Sequence, residues 1–202
     1  MTPTRSSHPP GRRVRSDPGT KGVVVWLTGL SGAGKSTLSA ALRDAIMPHR
    51  DVHVLDGDEI RTYLSKDLGY SRADRETNVR RIGFVARLLA LHGIVVVVAA
   101  ISPYASSRDE VHTLAREEGL DFVEVFVSAP LDTLIERDVK GLYQRALAGE
   151  VEHFTGISDP YEPPTAPAIV VHTATESVQE STAKILKVLV DRGVGLNLEA
   201  IP

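Results

Sequence analysis

The sequence predicts an α/β fold: a central parallel β-sheet with helices on both faces, in three layers. Three observations carry this. Apolar runs too short for helices recur along the chain, at 23–28, 94–100 and 122–127. Segments with helical spacing separate them. The run at 94–100 is continuously apolar and valine-rich, as expected for a central parallel strand covered on both faces. Ligands of such a sheet gather at the carboxyl ends of its strands.

The elements follow in order. Residues 1–20 are rich in Pro, Gly, Ser, Thr and Arg and read as a disordered tail. Strand 23–28 leads through a glycine-rich turn into helix 36–47, which Pro48 closes. A short strand at 52–55 runs into Asp56-Gly57-Asp58 and a helical stretch at 59–65. Val79, Ile82, Val85, Ala86 and Leu89 place one apolar stripe on a long helix over 75–91, ended by Gly93. After strand 94–100 come helix 107–118, strand 122–127 and helix 131–137. The segment 138–167 holds Gly141, Gly149, Gly156, Pro160, Pro163, Pro164 and Pro167. It reads as a mobile lid with a short helix at 142–147, its length favouring a functional loop. A last strand at 169–171 and a helix at 178–190 close the domain, taken as 21–192, with a loose tail over 193–202.

Composition excludes several classes. With 202 residues, 42% of them hydrophobic, the chain supports one sizeable core. A net charge of −3 gives no basic excess for general nucleic-acid binding. There is no cysteine, which excludes disulfides, thiolate nucleophiles and Cys-ligated zinc. The longest apolar run, 94–101, is too short to span a bilayer. No secretory signal is evident, and a cytoplasmic protein is expected. His49, His53, His92, His112, His153 and His172 lack metal-ligand spacing.

The strongest local signal is Gly29-Leu30-Ser31-Gly32-Ala33-Gly34-Lys35-Ser36, the Walker A pattern, set between a strand and a helix. Its glycines let backbone N–H groups turn toward phosphates, and the helix start adds further donors. Lys35 is placed to reach the β- and γ-phosphates of ATP and Ser36 to bind Mg²⁺, with Thr37 supporting the loop. The fold class is thus the P-loop nucleoside triphosphate hydrolase-like one, with a lid. Many hydrolytic members carry an Asp at the end of a later apolar strand, but here that strand ends in Ala99-Ala100-Ile101-Ser102. Asp56 and Asp58 are the nearest suitable carboxylates. One can serve Mg²⁺ or its water shell, the other the acceptor hydroxyl, and Asp58 is read as the acceptor-side group. Either could also simply cap the following helix.

The acceptor side is basic and aromatic. Arg61 stands one turn beyond Asp58, and Arg75 and Asn78 share a helix face. Forked guanidiniums suit an oxyanion, so the acceptor is expected to be anionic. Arg72, Arg87 and one of Arg80 and Arg81 read as solvated. Tyr70 and Phe154 stand in polar, glycine-containing stretches, where two rings could sandwich a flat base. Lys140, Tyr143 and Arg145 could bring charge and contacts over the phosphates.

Together the segments GLSGAGKST (29–37), LDGDEIR (55–61), LGYSRADRETNVRR (68–81), ISPY (101–104), RDVKGLY (137–143) and FTGISDPYEP (154–163) resemble the adenylylsulfate kinase (APS kinase) family over most of the chain, from about Lys21 to Arg192. The resemblance implies transfer of the ATP γ-phosphate to the 3′-hydroxyl of adenosine 5′-phosphosulfate (APS). It also implies Mg²⁺ dependence, a homodimer and a functional link to ATP sulfurylase. It matches Asp58 to the acid associated with magnesium and the acceptor hydroxyl, so that Ser36 and Asp58 form the expected metal set. Lys35 and Asp58 are the expected catalytic pair, with Asp56 among the substrate-side residues. Arg61, Arg75 and Asn78 match residues that hold the sulfonucleotide, and Ile101 and Ser102 match backbone lining its pocket. Tyr70 and Phe154 match an aromatic pair on its adenine, and Lys140 and Leu142 match the lid. The family counterpart of Ser102 was suspected of carrying a phosphoryl group, but nothing in this sequence supports a covalent intermediate. Three positions depart from the family: Tyr70 for Phe, Phe84 for Glu and Ala100 for Phe. None of them removes a proposed catalytic group.

Overall fold

The computed structural model describes residues 21–196. The sequence expectations for 1–20 and for 197–202 lie outside the described residues. Five strands form one sheet in the order β2-β3-β1-β4-β5, all parallel. They are β1 (Val23–Thr28), β2 (Val52–Asp56), β3 (Val95–Ala99), β4 (Asp121–Ser128) and β5 (Ile169–His172). The helices are α1 (Lys35–Ile46), α2 (Gly57–Tyr63), α3 (Arg72–Leu91), α4 (Ala105–Glu117), α5 (Leu131–Arg137), α6 (Leu142–Leu147) and α7 (Val178–Asp191).

The central strand shows why the apolar runs are continuous. Val23, Val25 and Leu27 of β1 enter one core with Leu38, Leu42 and Ile46 of α1 and Ile185, Leu186 and Leu189 of α7. Val24 and Trp26, on the opposite face, enter a second core with Val79, Ile82 and Ala86 of α3 and Val111 of α4. With a side-chain period of two, burial on both faces keeps the strand apolar up to Thr28 at its carboxyl end, whose hydroxyl is hydrogen-bonded. α1 and α7 therefore cover one face and α3 and α4 the other, giving the three layers the sequence predicts.

Several ends differ from the sequence reading because caps set them. α2 begins at Gly57, since Asp56 at the end of β2 accepts the Asp58 N–H at 2.9 Å. α3 begins at Arg72, where Ser71 accepts the N–H of Asp74. α7 opens on a reciprocal Ser177–Glu180 capping box. The loose tail expected over 193–202 is not found in its described part: Val194 and Leu196 are buried in the first core. Arg50 holds this segment down. It is 6% exposed and donates to the carbonyls of Val194 (2.6 Å), Gly93 (2.7 Å) and Lys21 (3.2 Å), tying three segments together at the amino edge of the sheet.

Among the described residues no helix is long and apolar enough to cross a membrane.

The start of β1 is packed backbone to backbone against the end of α3. A Cβ at Gly22 would lie 2.2 Å from the Ile94 carbonyl oxygen and 2.5 Å from that of Ala90. Main-chain atoms on both sides cannot yield as a side chain would. Gly22→Ala should lower the unfolding free energy by roughly 1–3 kcal/mol, the usual cost of overpacking. Urea titration followed by Trp26 fluorescence checks this, and an unchanged midpoint would refute the packing argument.

Candidate active site

The parallel arrangement places the ends of all five strands on one edge, and the loop after β1 curls there. Gly29 has no room for a side chain, since a Cβ would meet the Val127 carbonyl oxygen at 2.3 Å. Gly34, with φ 97°, is the N-cap of α1 and supplies no side-chain cap. The first N–H groups of α1 are therefore left to face a ligand. Lys35 is 9% exposed, and its Nζ donates to the carbonyls of Gly29 (2.8 Å) and Leu30 (2.7 Å), closing the loop around the ammonium. Burial, and then the charge of Lys140, push its pKa down to about 8, against opposing pulls from Asp56 and Asp58.

Three side chains bolt the loop to its surroundings. Tyr143 of α6 donates from its hydroxyl to the Ser31 carbonyl at 2.9 Å. Thr173, just past β5, donates from its hydroxyl to the Ala33 carbonyl at 2.9 Å, and Arg137 donates to the Thr173 carbonyl at 2.6 Å. Ser36 donates from its hydroxyl to Asp56 Oδ2 at 2.7 Å. Thr173 escaped the sequence reading. Its one signal was position, immediately beyond the carboxyl end of a parallel strand. Thr37 is exposed beside Ser36.

A cavity of about 640 Å³ opens beside the loop. Gly32, Lys35, Ser36, Asp56, Asp58, Arg61, Tyr70, Arg75, Asn78, Ile101, Ser102, Lys140 and Leu142 line it, so most of the expected site residues converge. Arg61 and Arg75 both approach the half-exposed ring of Tyr70, their guanidinium carbons 4.6 and 5.4 Å from its centroid. Arg75 donates to the Tyr70 carbonyl at 2.9 Å and to the His153 carbonyl, with Asp159 3.9 Å away. Burial first, and the charge of Arg61 second, push the Arg75 pKa below its ordinary value. An anion between the two guanidiniums would offset both effects. Asn78 Oδ1 is buried there without a hydrogen-bond partner.

The two aspartates separate. Asp56 touches Ser36 with one oxygen and the Asp58 N–H with the other. Asp58 turns toward the cavity and pairs with Lys140. The metal set expected from sequence was Ser36 and Asp58, but the carboxylate beside Ser36 is that of Asp56. The reason is local: Asp56 ends β2 facing the loop, whereas Asp58 lies one step into α2. Among the described residues no group of three or more acidic or histidine side chains could enclose a metal on its own. One hydroxyl and one carboxylate do fit Mg²⁺, which takes oxygen ligands, keeps waters and shares the rest of its shell with phosphates.

One further expectation changed. Phe154 does not reach the cavity wall. It is 9% exposed and packs edge-on against the Tyr143 ring, with centroids 5.0 Å apart at 80°. Of the two rings expected to hold a flat base, Tyr70 is the one that lines the cavity. The Ser102 hydroxyl accepts from Trp26 Nε1 at 3.0 Å and so points into the core, leaving backbone to line the cavity. The segment expected to be a mobile lid is anchored at several points. Asp138 accepts the N–H groups of Tyr143 and Gln144 at the start of α6, and Phe154 and Tyr143 are buried.

A phosphate-cradling loop on the carboxyl edge of a parallel sheet, with a separate cationic cavity alongside, defines a P-loop phosphotransferase. Within that class the chain belongs to the adenylylsulphate kinase family, whose model matches residues 21–172. It is 62% identical over 173 residues to an adenylyl-sulfate kinase of Myxococcus xanthus, covering 86% of this chain and 94% of that one. It is 57% identical over 174 residues to a probable bifunctional SAT/APS kinase of Sorangium cellulosum, covering 85% of this chain and 29% of that longer protein. The structure superposes on the Mycobacterium tuberculosis APS kinase CysC, solved in complex with AMPPNP and APS. The TM-score is 0.81 at 42% identity, covering 85% of this chain and 99% of that one.

The depressed Lys35 pKa makes triphosphate binding pH-dependent. Phosphates favour the protonated ammonium, so binding draws a proton onto Lys35. Affinity should be full below a pH of about 8 and be lost as the pH rises through it, since the Lys35 pKa is lowered to about 8. By linkage, affinity for a non-hydrolysable ATP analogue should fall about tenfold between pH 7 and pH 9. Calorimetry in buffers of different ionisation enthalpy should show proton uptake near pH 8. Lys35→Met should bind weakly with a flat profile, and an equally steep decline in that variant would remove Lys35 as the cause.

Proposed function

We propose that this protein transfers the γ-phosphoryl group of ATP to the 3′-hydroxyl of APS, yielding 3′-phosphoadenosine 5′-phosphosulfate and ADP. The observation that carries the reading is the pair of guanidiniums, Arg61 and Arg75, beside the Tyr70 ring in the same cavity as Lys35 and Asp58. The donor phosphates lie on the backbone of Gly29–Ser36. Binding them draws the Lys35 ammonium from its loop carbonyls toward the β- and γ-oxygens. Ser36 Oγ and Asp56 would hold Mg²⁺, which would supply positive charge to offset that of the phosphates.

Arg61 and Arg75 hold the anionic end of the acceptor, Tyr70 stacks on its adenine, and Asn78 Oδ1 accepts a hydrogen bond from it. The backbone of Ile101 and Ser102 forms the adjoining wall. Asp58 orients the 3′-hydroxyl and takes its proton as the new O–P bond forms and the bond from Pγ to the ADP oxygen breaks. The Asp58–Lys140 pair is exposed, with side chains 76% and 55% accessible, and exposed pairs are weak. An arriving phosphate can therefore take Lys140 from Asp58, freeing the carboxylate, with Leu142 of the anchored lid segment 138–167 beside it at the cavity. Phe154 acts in this scheme by buttressing Tyr143 against the loop rather than by stacking on the base.

The protein is further read as a cytoplasmic homodimer. Phe84, Leu88 and Leu91 form an exposed apolar stripe on α3 suited to a second copy. A working link to ATP sulfurylase follows from what such a kinase consumes. The Sorangium relative, by its name, joins the two activities in one chain.

The reading predicts ADP release that requires both Mg-ATP and APS, with AMP a poor substitute. Asp58→Asn should cut kcat by about 100-fold or more, the usual worth of a positioned base. Its affinity for an ATP analogue should stay within a few-fold. A variant with the wild-type rate would remove Asp58 from the chemistry.

A further inference from the structure

One charged side chain under the acceptor wall takes no part in the scheme above. Arg108 on α4 does not line the cavity, yet it is 2% exposed. Its Nε donates to Glu124 Oε1 on β4 at 2.9 Å, which balances its charge. The two remaining nitrogens reach main chain. Nη1 donates to the Ser102 carbonyl at 2.7 Å and Nη2 to the Glu162 carbonyl at 2.8 Å.

Both carbonyls belong to segments that need holding. Ser102 has φ 41°, a left-handed conformation that a non-glycine residue keeps only when its surroundings impose it. Ile101, Ser102 and Pro103 are the cavity wall itself. Glu162 stands where the lid segment returns to the body of the protein. Its N–H donates to the Pro103 carbonyl at 2.8 Å, and its Oε2 accepts the Ala105 N–H at 2.7 Å, capping α4. The preceding Tyr161 shares a hydrogen bond of 3.0 Å with the Thr28 hydroxyl, which itself donates to the Ile101 carbonyl at 2.7 Å. The Arg108 guanidinium lies 6.0 Å from the Tyr161 ring centroid. One forked cation thus joins the acceptor wall to the base of the lid. None of its hydrogen bonds goes to the phosphate loop.

We propose that Arg108 is a positioning residue for the acceptor. It fixes the wall at Ile101–Pro103 in its strained shape and couples that wall to the carboxyl-terminal anchor of the lid, leaving donor binding untouched. The inference rests on the reading of the cavity as the APS site. Lysine cannot replace the fork, because one ammonium does not span three divergent acceptors.

The test is Arg108→Lys, assayed with Mg-ATP and APS. KM for APS should rise about tenfold or more, while kcat at saturating APS and Kd for AMPPNP stay within about twofold, a loss of acceptor binding alone. Hydrogen exchange should quicken at 101–104 and 155–163 and stay unchanged at 29–37. An unchanged KM for APS would overturn the proposal. So would parallel losses in acceptor and donor binding, which mark a merely structural role. Should Arg108→Lys fail to fold, Tyr161→Phe loosens the same anchor by removing its contact with Thr28. It must raise KM for APS by about threefold with AMPPNP affinity unchanged, and a wild-type value would count against the coupling. If the wild-type enzyme releases no APS-dependent ADP, the functional reading fails before Arg108 is in question.

Discussion

The site depends on a buried ammonium. Lys35 sits inside the turn after β1 with two loop carbonyls on it, and the turn has the shape of something coiled around a cation. That arrangement requires a residue without a side chain where the loop passes Val127, and a left-handed one where it enters α1. It also requires the loop to be held from outside, since a charge desolvated to this degree favours rearrangement. Tyr143, Thr173 and Asp56 do this from three elements distant in sequence. The same attachments bring α6, the end of β5 and the end of β2 to one place, so the constraint that stabilises the loop also assembles the cavity.

Charge around the loop is balanced with little to spare. Asp56 and Asp58 favour the protonated lysine, and Lys140 opposes it. In the resting arrangement Lys140 is occupied by Asp58 and Lys35 by the loop itself. A triphosphate can satisfy both lysines at once. In the proposed mechanism its binding would release the carboxylate for the acceptor hydroxyl, so that donor binding would prepare the acceptor side without a change of fold. At the opposite edge of the sheet Arg50 also spends its charge on backbone carbonyls, but there it only clamps chain ends. The contrast with Arg108 lies in what is clamped, not in the chemistry of the clamp.

Much of this was legible in the sequence because it is local. Strand β1, its glycine turn and helix α1 form one contiguous signal, and the Arg75/Asn78 spacing follows from helical period alone. The assignments that shifted depend on tertiary packing. Asp56 and Asp58 are two residues apart, and only the cap at the start of α2 decides which one faces Ser36. Tyr70 and Phe154 look alike in polar, glycine-containing stretches, yet one ring is half open and the other is buried under Tyr143. Arg72, Arg80 and Arg81 are surface partners of Glu76, Glu110 and Asp67, as amphipathic helices suggest, whereas Arg87, expected to be solvated, is 14% accessible, pairs with Glu118 and has its Nε buried without a partner. Arg108, on a helix of similar composition, is buried instead. No pattern within α4 announces this, because the acceptors that accommodate it come from β4, the loop after β3 and the end of the lid.

The central claim is that the cavity presents one hydroxyl of a sulfonucleotide to the phosphate loop. Phosphorus NMR of the product formed from Mg-ATP and APS tests it most directly. The account predicts a new phosphomonoester resonance coupled to the ribose H3′ proton, with the phosphosulfate resonance retained and one ADP per product. Phosphorylation at the 2′ position, or inorganic phosphate released from ATP without an acceptor product, would contradict it.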